Sequence, residues 1–238
     1  MSGTMPDSNQ LERPCFTASG VWRGSVEIAP IAAFVIPFGI AFGVAASAKG
    51  ISPEVSVFMS IAIYAGASQF AVLDLWYAPL PLATLALTVF AVNARHILLG
   101  AALAPWLLQV PTVRRLAALL LISDANFAHA MSARDRGETD AGTLFGSGLI
   151  MWLMWIVSTA IGALAGSLLG DLSRFGFDVV MVAYFTAVIV GQWKGRSDLF
   201  PLIATAAVAV VGTYVLPPGW HIIAGALAGG IVGVLRHG

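Results

Sequence analysis

Residues 55–73 read VSVFMSIAIYAGASQFAVL, and residues 93–96 read NARH. The first stretch is apolar and nearly long enough to cross a bilayer, which takes about 20 residues in a helix. Ser56, Ser60, Tyr64 and Ser68 recur along it at every fourth position, with Gln69 beside them. After a short proline-containing turn a second apolar run begins at Pro81, and Asn93-Ala94-Arg95-His96 lies deep within it. Hydrocarbon offers no hydrogen bonds, so a hydroxyl stripe and an Arg-His pair at membrane depth must face protein or a water-filled cavity. The stretch therefore reads as the wall of a pathway rather than an anchor.

Composition agrees. The chain has 238 residues, 58% hydrophobic and only 10% charged, where soluble domains carry about 25% charged residues. Its mean hydropathy of +0.88 excludes an ordinary soluble protein. Formal net charge is zero and no basic block occurs, so nothing marks a nucleic-acid surface. The single cysteine, Cys15, has no internal disulfide partner. Residues 1–27 carry Asp7, Glu12, Arg13, Arg23 and Glu27 without a continuous apolar core, unlike a cleaved signal peptide. Cys15 follows Arg13-Pro14, which speaks against a lipoprotein anchor. Residues 1–24 read as a polar tail and 25–238 as one transmembrane domain.

Segmentation by length predicts an all-α, polytopic protein of about seven or eight transmembrane helices. The first four cover Ile28–Ala48, Val55–Leu73, Pro81–Leu107 and a shorter Arg115–Met131 around Asp124. A polar linker near 132–141, with Arg134, Asp135, Arg136, Glu138 and Asp140, divides two halves. The second half runs through Gly142–Leu169, Asp178–Trp193, Leu199–Leu216 and Trp220–Leu235, the last two separated by Pro217-Pro218-Gly219. Each half sets a long apolar run before a shorter one carrying an aspartate, Asp124 or Asp178, a pattern open to an internal repeat. With Arg13, Arg23, Arg134, Arg136, Lys194, Arg196 and Arg236 on one side and Lys49, Arg114, Arg115 and Arg174 on the other, the positive-inside rule favours a cytoplasmic N-terminus.

Glycines spaced four apart (Gly39 and Gly43; Gly162, Gly166 and Gly170; Gly225, Gly229 and Gly233) are expected to let helix backbones approach closely. Pro37-Phe38-Gly39 also suggests a broken first helix that lines a substrate site, against the plainer reading of a packing kink.

A charge at the centre of a membrane helix costs roughly 2.5 to 3.5 kcal/mol. Arg95, Asp124 and Asp178 would each incur that cost, and Arg–carboxylate pairing offsets part of it. On a continuous helix Asn93 and His96 lie about 60° apart while Arg95 faces away from Asn93, so one face is free for substrate and Arg95 for a neighbouring helix. Asp124 is expected to be the coupling carboxylate, exchanging a proton as Arg95 leaves and returns. Ser123, Asn126 and His129 form a second polar stripe, in which a lone histidine reads more readily as structural than as a ligand. Ser68, with His96 and His129 as conceivable bases, lacks the arrangement of a catalytic triad. The four histidines and one cysteine supply no metal-ligand spacing, and no nucleotide-binding motif is present. Neither an enzyme nor a cofactor-binding protein is expected.

The succession Pro37-Phe38-Gly39 to Gly43, then Tyr64-Ala65-Gly66-Ala67-Ser68-Gln69-Phe70-Ala71, then Asn93-Ala94-Arg95-His96 resembles the AzlC-type large subunit of bacterial branched-chain amino acid exporters. Ser123-Asp124, Phe127-Ala128, Phe177-Asp178 and Pro218-Gly219-Trp220 extend the likeness over about residues 25 to 235. One departure stands out: Ala125 occupies a position that is usually acidic in that family. The resemblance implies secondary export of branched-chain or related neutral amino acids across a bacterial inner membrane, in complex with a small AzlD-type membrane subunit. A zwitterion with an apolar side chain needs donors, acceptors and a dry pocket. On this reading Tyr64, Ser68, Gln69, Asn93, His96, Gly39 and Phe70 bind substrate, Phe127 adds to the pocket, and Arg95, Asp124 and Asp178 form coupling ion pairs. The readings left open beside it are a membrane scaffold that binds a small partner, a passive channel, and a transporter of a different solute.

Overall fold

A computed structural model describes residues 15–169, 195–216 and 220–237, with positions 186, 189, 190 and 193. Asp178 and the Pro217-Pro218-Gly219 turn lie outside the described residues, as does the greater part of the polar tail. In chain order the helices are α1 (Ala18–Ala33), α2 (Val35–Ala48), α3 (Pro53–Ala62), α4 (Gly66–Leu73), α5 (Leu82–Asn93), α6 (Arg95–Leu107), α7 (Thr112–Leu120), α8 (Asp124–Asp135), α9 (Gly142–Leu169), α10 (Leu199–Val215) and α11 (Trp220–His237). The all-α expectation holds. Among the described residues three helices are long and apolar enough to cross a membrane, Leu82–Leu107, Gly142–Leu168 and Arg196–Val215, and α1 with α2 makes a fourth if counted as one bent span. Seven or eight spans are compatible with this.

The chain forms two compact units, Met1–Val35 with Arg95–Met154, and Ile36–Ala94 with Trp155–Gly238. In the first, α1 starts at Ala18, inside the stretch read as a polar tail, because Thr17 caps it by accepting from Gly20 N at 3.0 Å. Asp140, 6% exposed, locks that cap in place. It accepts hydrogen bonds from Thr17 N at 3.0 Å, from the Thr17 hydroxyl, and from Gly142 N at 2.8 Å at the start of α9. One buried carboxylate thus satisfies donors at two helix starts. Gly20 leaves room for it, since a Cβ there would lie 2.1 Å from Asp140 Oδ2. The polar linker is therefore a structural clamp as well as a solvated turn. Leu103, Trp106 and Leu107 of α6 pack with Ala118, Ile122, Ala130 and Leu144 as the core of this unit.

The expected Arg115–Met131 segment breaks at Leu121–Ser123 into α7 and α8. Ser123 caps α8 in a reciprocal capping box, its backbone N–H donating to Asn126 Oδ1 at 2.6 Å. Asn126, fully buried, also donates to the freed carbonyl of Leu121 at 2.9 Å. The polar stripe at threes is largely a helix-start device.

In the second unit, α2 and the C-terminal half of α9 meet through glycines. A Cβ on Gly43 would lie 2.3 Å from Thr159 O, and one on Gly162 would lie 2.0 Å from Ile40 O. Gly225 and Gly229 similarly face Thr205 and Ala209 between α10 and α11. The helix-packing reading of these glycines is correct for lipid-embedded helices. Gly39 belongs to the same contact: it is buried, and its missing Cβ makes room for Ser158. The break in the first helix lies at Phe34 instead, with a bend of 59°. Pro37 sits in the first turn of α2, where a missing N–H costs little.

The decisive stretch, 55–73, is likewise two helices, with Tyr64 between them at φ 43°. That left-handed backbone is unusual for a bulky side chain, costing on the order of 1–3 kcal/mol. The four-residue stripe is therefore not one continuous helix face. The run from Pro81 onward is interrupted at Ala94, between Asn93 and Arg95. Leu82, Phe90, Ile97 and Leu98 along it are exposed, as lipid-facing side chains are.

Candidate functional site

The residues singled out from sequence gather in two clusters, one in each unit. In the second unit the break at Tyr64 starts α4 without a side-chain cap. The Ser68 hydroxyl turns back to donate to Ala65 O at 2.9 Å, and Asn93 Nδ2 donates to Ser68 Oγ at 3.2 Å. Ser68 and Gln69 are fully buried; Asn93 and Tyr64 are half-buried. Gln69 is the hub: its Oε1 accepts from Trp155 Nε1 at 2.9 Å and its Nε2 donates to Ser60 Oγ at 3.0 Å. Ser60 in turn shares a hydrogen bond with Thr159 Oγ1 at 2.9 Å. Phe42 covers this network, edge-on to Phe70 with ring centroids 5.6 Å apart and stacked on Trp155 at 6.1 Å. Tyr64, Ser68, Gln69, Phe70 and Asn93 thus sit around one helix break, and Gly39 packs beside Ser158 on the same helix as Trp155.

The first unit holds the charges. Arg95 and Asp124 pair at 3.1 Å. Asp124 is not at the centre of a helix, as expected, but is the first residue of α8, where the helix dipole favours a carboxylate. At 54% exposed, with Arg95 at 32%, the pair is far less buried than the sequence suggested. His129 Nε2 lies 3.3 Å from Glu27 Oε2 on α1, and Arg23 pairs with Glu138. His96, in the first turn of α6, is half-buried. Phe127 packs partly buried against the first unit's core. No group of three or more potential metal ligands occurs among the described residues.

The model of the family described as AzlC protein matches residues 30–169. The chain belongs to the AzlC family. It is 30% identical over 223 residues to the inner membrane protein YgaZ of Escherichia coli K12, covering 90% of this chain and 89% of that protein. It is 27% identical over 208 residues to the branched-chain amino acid transport protein AzlC of Bacillus subtilis 168, covering 87% and 80%. An uncharacterized membrane protein of Archaeoglobus fulgidus is 31% identical over 210 residues, covering 87% and 91%. No solved structure gives a match. As an AzlC-family chain with apolar helices of spanning length, this is an integral membrane protein. The family match takes in both clusters, from Gly39 through Asn93 and Asp124 to Trp155.

Sequence reasoning missed Trp155 and Thr159, which complete the Gln69 network, and Glu27, which faces His129. Trp155 is one of seven tryptophans and lies 86 positions from Gln69, so no local signal could pair them. Glu27 did carry a signal, as an acid on the threshold of an apolar run.

Proposed function

We propose that this AzlC-family chain is the large subunit of a secondary exporter for branched-chain or similar neutral amino acids in a bacterial inner membrane. The observation that carries the reading is the strained break at Tyr64, which opens an apolar segment beside Ser68, Asn93 and the Gln69 hub. Strained backbone at a non-glycine residue persists where surrounding structure holds it, and such positions cluster at ligand sites. A broken helix in lipid is tolerated where its freed backbone groups meet protein or a cavity, the device by which many transporters bind solutes near mid-membrane.

In this scheme Asn93, Ser68 and Tyr64 hold the polar end of the amino acid. Gln69 fixes the geometry through Trp155 and Ser60, and Phe70 supplies apolar surface. Arg95 and Asp124 form the ion pair whose making and breaking accompanies the conformational cycle. Export, rather than uptake, and a small AzlD-type partner are part of this proposal, taken from the motif resemblance; the Bacillus relative's name supports branched-chain substrates. The pathway carries solute and no bond is made or broken, so no enzymatic role is assigned.

The test is efflux of labelled leucine and valine from preloaded cells that lack their own exporters, with this chain expressed alone and with the small partner. Saturable efflux that needs both chains, and that Asn93→Ala removes without loss of membrane insertion or complex, is the expected result. A pair that co-purifies yet moves neither amino acid would overturn the assignment.

A further inference from the structure

The first unit contains a titratable pair that the scheme above does not use. Glu27 lies on α1, about 14 Å along the helix axis from its start, and His129 lies about 9 Å from the C-terminal end of α8. The two side chains meet at 3.3 Å through Nε2 and Oε2. His129 is 11% exposed, and its Nδ1 is buried with no hydrogen-bond partner among the described residues. Glu27, 41% exposed, lines an open cleft of about 380 Å3 together with Arg23, Arg136, Glu138 and Thr139. One carboxylate therefore has one side on a polar, water-accessible cleft and the other on an enclosed imidazole.

We propose that Glu27 and His129 form the proton-binding site of this transporter, fed with protons through the cleft. The proposal rests on the transport reading and adds to it the coupling ion and its place of entry. Imidazole is the side chain whose protonation changes most readily near neutral pH, and here it meets a carboxylate that opens on the cleft. The step is one excess proton entering from bulk solvent through the cleft and passing by way of the Glu27 carboxylate to Nε2 of neutral His129, converting the Glu27⁻/His129 pair into Glu27⁻/His129⁺; release returns the same proton to the solvent, and no other bond changes. A structural ion pair needs no cleft, and a histidine held for packing would not leave Nδ1 buried and unsatisfied, at a cost that folding alone does not explain.

The charged and titratable groups on the surrounding elements are Arg23 on α1, Arg95 and His96 on α6, Asp124, Arg134, Asp135 and Arg136 at or on α8, and Glu138 and Asp140 in the linker, the last bound by Thr17 and Gly142; the part of α9 in this unit, Gly142–Met154, carries none. Arg23 is occupied by Glu138 and Arg95 by Asp124.

The experiment reconstitutes the full chain with its small partner subunit in liposomes and reads two quantities. Leucine exchange is measured with labelled leucine at equal concentration and pH on both sides; leucine-driven proton movement is measured with a trapped pH dye. His129→Gln and Glu27→Gln are expected to keep exchange and to lose proton movement, with exchange no longer responding to pH between 5.5 and 8 as in the unaltered protein. Variants that exchange leucine and still move protons overturn the proposal while the transport reading stands. Loss of both quantities in both variants, in protein that inserts normally, makes the pair structural and also overturns it. An unaltered protein that fails to exchange leucine refutes the transport reading, and this site with it.

Discussion

The Gln69 cluster and the Arg95–Asp124 cluster satisfy their polar groups by opposite means. The first is neutral and enclosed: an amide, an indole and two hydroxyls meet one another, with Gln69, Ser60 and Thr159 all fully buried. The second is ionic and half open, with the carboxylate of Asp124 more exposed than buried. The difference follows from what burial costs. A neutral amide leaves water cheaply if each of its groups finds a partner, whereas a charge pair taken fully out of water seldom recovers its desolvation. The charges accordingly sit at helix starts, and the neutral hub sits inside. The lesson is that the enclosed cluster fixes shape and the open one is free to change partners.

The hardest way to break the contrast is to separate the helices that build the neutral cluster. Gly43→Leu drives a side chain into the carbonyl of Thr159, and loss of folded, detergent-extractable protein is expected; a normal yield would show that α2 and α9 pack more loosely than they do here. Gln69→Leu comes next. It strands the Trp155 N–H and weakens the Ser60–Thr159 pair, costing about 2–4 kcal/mol, read as a lower melting temperature in detergent.

The ionic cluster should behave differently. Asp124→Asn combined with Arg95→Gln in a double-mutant cycle is expected to show a stability coupling of only about 0.2–1 kcal/mol, because the Asp124 carboxylate is more exposed than buried. Efflux should fall far more than stability. A coupling as large as the Gln69 effect would mean that the pair is a structural element. Ser123→Ala should cost about 1 kcal/mol in the same melting assay through loss of the α8 cap, with Asp124 displaced as a consequence. Smallest of all, Thr88→Val should leave stability unchanged or slightly raised, since the Thr88 hydroxyl is buried without a hydrogen-bond partner among the described residues. A marked loss would reveal a partner for that hydroxyl and enlarge the polar lining of α5.

Much of the site was legible as a set of residue types. A serine, a glutamine, an asparagine and an Arg-His pair have no business in hydrocarbon unless they face something polar, and Ser68 with Asn93, and Arg95 with Asp124, do meet. What sequence misjudged was backbone continuity. It treated 55–73 and 115–131 as unbroken helices, although a single left-handed residue at Tyr64 and a serine cap at Ser123 divide them. Hydropathy averages over a window and is blind to one residue's φ, while a capping serine inside an apolar run looks like any other hydroxyl. The same blindness put the first break at Gly39 when the chain turns at Phe34.

The sequence by itself determined a helical membrane protein, because length and hydrophobicity are local, additive properties and lipid admits few ways to satisfy a backbone; the AzlC family came from the likeness of its motifs. It also pointed to Gly43, Gly162, Gly225 and Gly229 as helix contacts, since a four-residue spacing fixes one helix face, but not to Gly24 and Gly146, which pack α1 against α9 as closely; Gly233 makes no close contact and Gly170 lies outside the described residues. Only the tertiary structure decided that Trp155 completes the hydrogen bonding of Gln69, that Asp140 caps two helices at once, and that Glu27 stands between a cleft and His129. The Gln69–Trp155 and Thr17–Asp140 hydrogen bonds join residues 86 and 123 positions apart. No periodicity along the chain encodes them; they exist only once the helices have packed.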